Sequence, residues 1–188
     1  MDKNKIISRY HLTLDLLESI DLKNDPVELK KGDYFINYGE KTKKIGIVLK
    51  GFLYASYISD NGTEWISRFF FSPNNFIVSN HQGFYLGKNS TESIRVYEDS
   101  KLIYIEKEEF KTLLDKHPKF ERTVRILAEE SYIQAMERIH SFQSLNAEQR
   151  IRKFLKEYPE LAQKLQRQQI ASYLGIHRNI LTRILYKL

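Results

Sequence analysis

The chain has 188 residues, 41% hydrophobic and 29% charged, a composition typical of a globular protein with one large domain or two small ones. It contains no cysteine, which excludes disulfides, cysteine-ligated iron–sulfur clusters and thiol catalysis. No apolar run approaches the roughly 18 residues of a membrane span, and the N-terminus lacks the apolar core of a secretory signal. We therefore expect a cytoplasmic protein with no membrane partner.

The net charge of +6 is unevenly distributed along the chain. Residues 119–188 hold 13 basic and 7 acidic side chains, whereas residues 1–118 are neutral overall. Beyond Glu160 no acidic residue occurs, and the basic ones are Lys164, Arg167, Arg178, Arg183 and Lys187. This asymmetry favours a regulatory region joined to one that binds a polyanion, although a basic helix that only keeps the protein soluble is the alternative.

The first part of the chain changes from helical to strand-like patterning. Residues 3–20 have apolar side chains at helical spacing, whereas from Val27 to Ile105 short β-branched and aromatic runs alternate with turn signals. The predicted strands are 34–37, 45–50, 52–59, 63–71, 75–79, 91–98 and 101–106. The run Asp60-Asn61-Gly62 predicts a tight hairpin, because Asn and Gly tolerate positive φ. About seven short strands predict a sandwich, jelly roll or barrel.

Helical spacing returns at Lys107 and predicts helices at 107–116, 119–144 and 147–157, with prolines at the ends of the first and third. The long middle helix either covers the β-rich region or pairs with a second copy of the chain. Its apolar stripe is wider than one neighbouring surface needs, which favours the pairing. The candidate dimer-interface residues are Leu127, Ile133, Met136 and Ile139.

The most specific segment is 167–185, which predicts two short helices joined by a glycine turn. Ile170, Ala171 and Leu174 give the first helix an apolar face, and Gly175 falls where the turn needs positive φ. The second helix divides into an apolar side and a polar side, as a helix in a major groove requires. The candidate DNA-binding residues are Gln168, Gln169, Arg178, Asn179, Thr182 and Arg183. An ordinary pair of packed helices is the alternative.

These residues resemble the helix-turn-helix of the Crp/Fnr family of bacterial regulators. The run 177–183, His-Arg-Asn-Ile-Leu-Thr-Arg, places both arginines in the family's register, although Asn179 replaces the usual glutamate and His177 the usual serine. Upstream, residues 31–40 and 47–51 look like the opening strands of a cyclic-nucleotide-binding β-roll, and 119–144 is similar to the family's dimerisation helix.

The resemblance implies an α+β fold in three parts. A β-roll, or jelly-roll-like, sensor domain would occupy 1–118, a dimerisation helix 119–145, and an all-α helix-turn-helix domain 146–188. It implies a homodimer that binds double-stranded DNA and regulates transcription, without catalysis and without a cofactor. It also allows a small-molecule effector and RNA polymerase as partners.

Two departures from the family pattern affect these expectations. The stretch that matches the phosphate-binding cassette lacks both the glutamate and the arginine that hold a cyclic nucleotide. The effector-pocket candidates are instead Ser79, Asn80, His81, Thr91 and Glu92, and the negative charge of Glu92 would repel a phosphate. We therefore expect no control by cyclic AMP. Few residues follow Leu185, so we also expect no β-wing.

Two other classes of function stay open. A cupin-like small-molecule-binding protein or metal-dependent enzyme would need clustered histidines, but the five histidines are scattered and form no His-x-His pair. We therefore expect no metal site, and a haem bound by His81 is less favoured still. An interaction module with a vestigial helix-turn-helix is the second alternative, against which the two arginines in register argue.

Overall fold

The computed structural model describes residues 25–72 and 75–187, so the helix predicted over 3–20 lies outside the described residues. The strands are β1 (Val27–Leu29), β2 (Tyr34–Ile36), β3 (Lys44–Ile58), β4 (Glu64–Phe71), β5 (Ile77–Val78) and β6 (Ser93–Glu106). The helices are α1 (His81–Leu86), α2 (Lys107–Lys116), α3 (Pro118–Ser144), α4 (Ala147–Glu157), α5 (Pro159–Lys164), α6 (Arg167–Leu174) and α7 (Arg178–Leu185). The predicted α+β class is confirmed.

The described strands form one antiparallel sheet built around two long strands, β3 and β6. The path through the sheet runs β1-β6-β3-β4, with β2 also paired to β6 and β5 to β3. The prediction of separate strands at 45–50 and 52–59 was wrong, because β3 is continuous across Gly51. Its register against β6 shifts near this glycine, which adopts a φ of 96°, so the chain bends without leaving the sheet.

The same correction applies to β6, which was predicted as strands 91–98 and 101–106. The intervening Asp99 and Ser100 looked like a turn, but they lie within the strand. The Ser100 Oγ accepts a hydrogen bond from the Phe52 amide at 3.0 Å, which ties this irregular point of β6 to the bend in β3. At this β-bulge the regular hydrogen bonds between the strands are interrupted, and a polar side chain bonds a backbone group that would otherwise lack a partner. The polar residues therefore do not end β6.

The hairpin between β3 and β4 forms as predicted. The Ser59 amide donates to the Thr63 carbonyl at 3.0 Å, and Gly62 adopts a φ of 79°. Asn61 Oδ1 accepts hydrogen bonds from the Ser59 hydroxyl at 2.8 Å and from the Thr63 amide at 3.1 Å. The hairpin tip, defined as Ile58–Ile66, is thus a rigid turn.

The core of the β-rich region lies between the curved parts of the sheet and under the first helices. In β6, Ile94 and Val96 are buried on either side of the exposed Arg95, as strand alternation requires. The large side chains that are fully buried in this core include Val48, Leu53, Val78, Phe84, Ile94 and Leu102. Each fully buried aliphatic or aromatic side chain of this kind contributes about 1.5–3 kcal/mol to stability.

Two short helices were not predicted. The helix α1 spans six residues, too few to show a helical period, and it begins where Asn80 Oδ1 accepts a hydrogen bond from the Gly83 amide at 2.6 Å. The helix α5 begins at Pro159, which the sequence analysis interpreted only as the end of the preceding helix. A proline at the first helical position starts a helix as readily as it ends one, because its missing N–H is not needed there.

The chain divides into two compact units. One contains the chain up to Tyr57 together with Ser67–Ala128, and the other joins Ile58–Ile66 to the chain from Glu129 onward. The hairpin tip therefore belongs to the second unit, with the C-terminal helices. In this unit the core side chains come mainly from α4 to α7: Ile151, Phe154, Leu161, Leu165, Ile170, Leu174, Ile176 and Leu181.

The surroundings of the long helix α3 change along its length, and only its packing against the β-rich region is seen in the single chain. Near its start, Phe120 is buried in the core of the first unit, and Val124, Ile126 and Leu127 are packed against that core. Farther along, an apolar row of Tyr132, Ile133, Met136 and Ile139 is exposed. In the described part of the chain, no helix combines the length and apolar character needed to cross a membrane.

Candidate nucleic-acid interface and effector pocket

The turn between α6 and α7 fixes the geometry of the helix-turn-helix. Gly175 ends α6 with a φ of 64° and a ψ of 38°, in the left-handed region that favours glycine. The Ile176 amide returns to the Ala171 carbonyl at 3.0 Å, and the Ile176 side chain is buried between the helices. The next residue, His177, begins α7, and its Nδ1 accepts a hydrogen bond from the Asn179 amide at 3.2 Å.

Helix α7 buries one side and exposes the other. Leu181 is fully buried, and Ile180, Ile184 and Leu185 are partly buried beside it. The remaining positions form the recognition face, defined as Arg178, Asn179, Thr182 and Arg183. Arg178, Asn179 and Arg183 are exposed and Thr182 is partly buried. Because residues four apart share one side of a helix, Arg178 lies on the same side as Thr182, and Asn179 on the same side as Arg183.

The two glutamines predicted to bind DNA differ in their surroundings. Gln168 is exposed on the first turn of α6, whereas the Gln169 Oε1 accepts a hydrogen bond from the Gln166 amide at 3.1 Å. Gln169 thus also stabilises the start of α6. Arg167, beside them, lies 5.6 Å from the centre of the Tyr186 ring, which connects the start of α6 to the end of α7.

A serine on α6 hydrogen-bonds the backbone of the hairpin tip. The Ser172 hydroxyl accepts from the Ile66 amide and donates to the Glu64 carbonyl, both at 2.8 Å. The hydroxyl therefore provides hydrogen-bond partners for one amide and one carbonyl at the start of β4, which a neighbouring strand would otherwise supply. This contact could not be predicted from the sequence, because the partners are more than 100 residues apart and no local pattern marks a serine that bonds a distant strand.

Arg138 on α3 reinforces the same junction. Its Nη2 donates to the Ile66 carbonyl at 3.2 Å and to the Tyr173 carbonyl at 2.8 Å. The guanidinium lies over the rings of Tyr173 and Phe142, at 4.1 and 4.7 Å from their centres. Carbonyls near the end of a helix favour a cation, so this arginine holds α6, α3 and the hairpin tip together.

The predicted effector-pocket residues converge only in part. The Glu92 carboxylate, which is 12% exposed, accepts hydrogen bonds from Asn80 Nδ2 at 2.9 Å and from the Ser67 hydroxyl at 3.2 Å, and it pairs with the Arg68 guanidinium. Of the candidates, Asn80 and Glu92 are thus brought together. Thr91, the neighbouring candidate, is exposed.

Arg68 completes this cluster, although nothing in the sequence pointed to it. It lies on β4, 24 residues before Glu92, so nothing local connects the two. The charge of Glu92 is therefore balanced within the chain by Arg68. Arg95, the other arginine near the cassette, is exposed, and its Nε donates to the Gly32 carbonyl at 3.2 Å.

His81 and Ser79 lie beside this pair along the chain. His81 is the first residue of α1, and partial burial together with the positive charge of Arg68 lowers its pKa, against the opposing effect of Glu92. Ser79 is buried, and among the described residues its hydroxyl has no hydrogen-bond partner; the same is true of Thr42. Within the described residues, no group of three or more His, Asp or Glu side chains is placed to hold a metal ion.

Residues 26–117 match the family model of the cyclic nucleotide-binding domain. No curated protein sequence matches the chain significantly. Among solved structures, the c-di-GMP-responsive regulator CLP of Xanthomonas campestris has a TM-score of 0.76 at 15% identity, over 91% of this chain and 89% of that one. FixK2 from Bradyrhizobium japonicum has a TM-score of 0.73 at 15% identity, over 88% and 84%.

A Crp/Fnr-family protein from Eubacterium rectale shares 20% identity, with a TM-score of 0.73 over 94% of this chain and 83% of that one. These likenesses show that the chain has the Crp/Fnr fold, and the family model places a cyclic nucleotide-binding domain in its first part.

The junction between Ser172 and the hairpin tip generates a stability prediction. Replacing Ser172 with alanine leaves the buried Ile66 amide without its partner, so we expect the free energy of unfolding to fall by about 1–3 kcal/mol. Urea titration followed by circular dichroism measures the loss. The control is Ser144→Ala, an exposed serine whose hydroxyl bonds only within α3, where we expect a change within about 0.5 kcal/mol. Equal stabilities of the two variants would contradict the assigned role.

Proposed function

We propose that this chain, which carries a cyclic nucleotide-binding domain and has the Crp/Fnr fold, is a dimeric, sequence-specific DNA-binding regulator of transcription that cyclic AMP does not control. Its functional regions are the sensor domain over 1–118, the dimerisation helix over 119–145 and the DNA-binding domain over 146–188. The compact units of the fold divide the chain at different positions, because the hairpin tip groups with the C-terminal helices. The protein acts by binding, not by catalysis, and its target places it in the cytoplasm.

The recognition face of α7 carries this proposal. Its polar side chains project from a helix whose other side is buried, in a segment that contains basic residues and no acidic ones after Glu160. Arginine and asparagine are the side chains that pair with guanine and adenine edges in the major groove. An α-helix with its side chains is about 10–12 Å across, so α7 can enter the major groove, which is about 12 Å wide.

Dimerisation follows from the exposed apolar row of α3. Tyr132, Ile133, Met136 and Ile139 are between 45% and 66% exposed in the single chain. Contiguous apolar surface of this kind marks an interaction site, and a helix that carries it is suited to pair with its own copy about a two-fold axis. Leu127 lies at the edge of this surface, since it is packed partly against the core of its own chain.

Independence from cyclic AMP follows from the pocket. A cyclic phosphate needs a cation or several aimed donors when it is buried. The donors that the described pocket offers, Arg68, Asn80 and Ser67, are already engaged by Glu92. A cyclic phosphate that entered would meet a carboxylate in the place of its partner.

The first prediction concerns DNA recognition. A selection from random DNA should enrich an inverted repeat, and Arg178→Ala should weaken binding to that site by about 1–3 kcal/mol if the arginine pairs with a guanine. If Arg183 contacts a phosphate, its alanine variant should weaken all sequences equally and reduce the salt slope by about one. Fluorescence anisotropy over a range of salt concentrations measures both effects. Arg95→Ala, an exposed arginine of the sensor domain, serves as the control. Wild-type affinity in both helix variants would disprove the assignment of α7.

The second prediction concerns the dimer. Replacing Ile133 and Met136 with aspartate buries unpaired charge in the interface, so we expect a monomer where the wild type is a dimer. Sedimentation velocity at micromolar concentration distinguishes the two. Gln134→Asp is the matched control, because Gln134 is exposed on the opposite side of α3 and its variant should stay dimeric. A monomeric wild type would refute the proposal.

The third prediction concerns the effector. Titration with millimolar cyclic AMP should give no saturable heat in calorimetry, and its addition should leave DNA affinity unchanged. Binding with a dissociation constant in the micromolar range would contradict this prediction, because the nucleotide would then have displaced Glu92 from its hydrogen-bond donors.

A further inference from the structure

We infer that Glu92 is a built-in occupant of an anion-binding subsite, so that the pocket is closed to anionic effectors by the chain's own carboxylate. The inference deepens the proposed independence from cyclic AMP by assigning a physical cause to it. It concerns three donors, defined as the donor set: the Arg68 guanidinium, the Asn80 amide and the Ser67 hydroxyl.

The donor set has the composition of an anion site. It combines a guanidinium with two neutral donors, and it approaches the carboxylate from two separate segments, the strand β4 and the residue that precedes α1. Both oxygens of Glu92 are engaged, Oε1 by Arg68 and Asn80 and Oε2 by Ser67. Charge-assisted hydrogen bonds of this kind are roughly twice as strong as those between neutral groups, and the same donors would suit a phosphate or a carboxylate from outside.

The donors are fixed before any ligand arrives. Asn80 cannot turn away without losing the hydrogen bond between its Oδ1 and the Gly83 amide, which begins α1. Gly83 itself is closely surrounded, since an added Cβ would lie 2.4 Å from Thr42 Oγ1 and 2.9 Å from Asn80 Oδ1. The Arg68 guanidinium lies 5.4 Å from the centre of the Phe70 ring. A preorganised set of donors binds an anion with little cost in conformational entropy.

The carboxylate is also held in place by its own backbone. The Ser90 hydroxyl, on a residue only 2% exposed, donates to the Glu92 carbonyl at 2.6 Å and accepts from the Glu92 amide at 3.3 Å. This local loop presents the side chain toward β4 and the start of α1. Because Glu92 is covalently attached, its effective concentration at the donor set exceeds that of a free anion in millimolar solution.

The test removes the charge of Glu92 and asks whether the subsite then binds an anion from solution. In Glu92→Gln, Arg68 loses its counter-charge while the shape of the side chain is kept. We expect inorganic phosphate to bind this variant saturably, whereas the wild type should show no saturable binding. Thermal shift and calorimetry measure this at an ionic strength matched with sodium chloride. The double variant Arg68→Gln/Glu92→Gln, which removes the cation as well, should lose the binding.

A second variant tests the same inference by rescue. Glu92→Ala removes the whole carboxylate, so we expect added acetate to raise its melting temperature, whereas acetate should not affect the wild type or the double variant. If Glu92→Gln binds no phosphate and acetate does not rescue Glu92→Ala, Glu92 is only a structural ion-pair partner and the inference is wrong. The same conclusion follows if neither variant folds. These measurements use no DNA, so their failure is distinct from a failure of DNA binding or of cyclic AMP independence.

Discussion

The burial of one side of α7 is the constraint on which the functional surface depends. Leu181 is fully buried against the helices before it, so α7 cannot rotate about its axis without exposing that side chain to water. Gly175 sets the angle at which the helix leaves α6, because the left-handed conformation there would be strained with almost any other residue. Since an added Cβ at this position would lie 2.7 Å from the Phe142 ring, the turn is also closely packed. The orientation of the recognition face is therefore decided by apolar contacts and by one backbone conformation.

The same unit contains a network of polar contacts in addition to its apolar packing. The hairpin tip ends in strand edges whose amides and carbonyls need partners, and Ser172 and Arg138 supply them from α6 and α3. A buried polar network with every member satisfied specifies one arrangement, since any displacement leaves donors or acceptors unpaired. The helix that supports α7 is thereby tied to the hairpin tip, which lies more than 100 residues earlier in the sequence.

What the sequence predicted correctly depends on local patterns. Such patterns predicted the hairpin at Asp60-Asn61-Gly62, the long helix and the glycine turn. The spacing of apolar residues and the residues that tolerate positive φ are both visible within a few positions of the sequence. The errors come from contacts between residues far apart in the sequence, or from residue types that are compatible with two different local structures. Gly51 was interpreted as a break because a bulge and a turn use the same residue type, and Pro159 was interpreted as an end because the same proline also starts a helix. Arg68 and Glu92 could not be paired in advance, since their approach depends on how β4 and the loop before β6 are brought together.

The chain treats its charges differently in its two parts, and this difference bears on how the protein is regulated. In the region that matches the cyclic nucleotide-binding domain, Arg68 and Glu92 neutralise one another at a partly buried site, whereas the sequence after Glu160 contains five basic residues and no acidic one. A ligand shifts a conformational equilibrium only by as much as it prefers one state over the other. A pocket whose donors are satisfied within the chain offers an anion no such preference. If the proposed dimer is the form that binds DNA, its amount depends on the chain's own concentration by mass action.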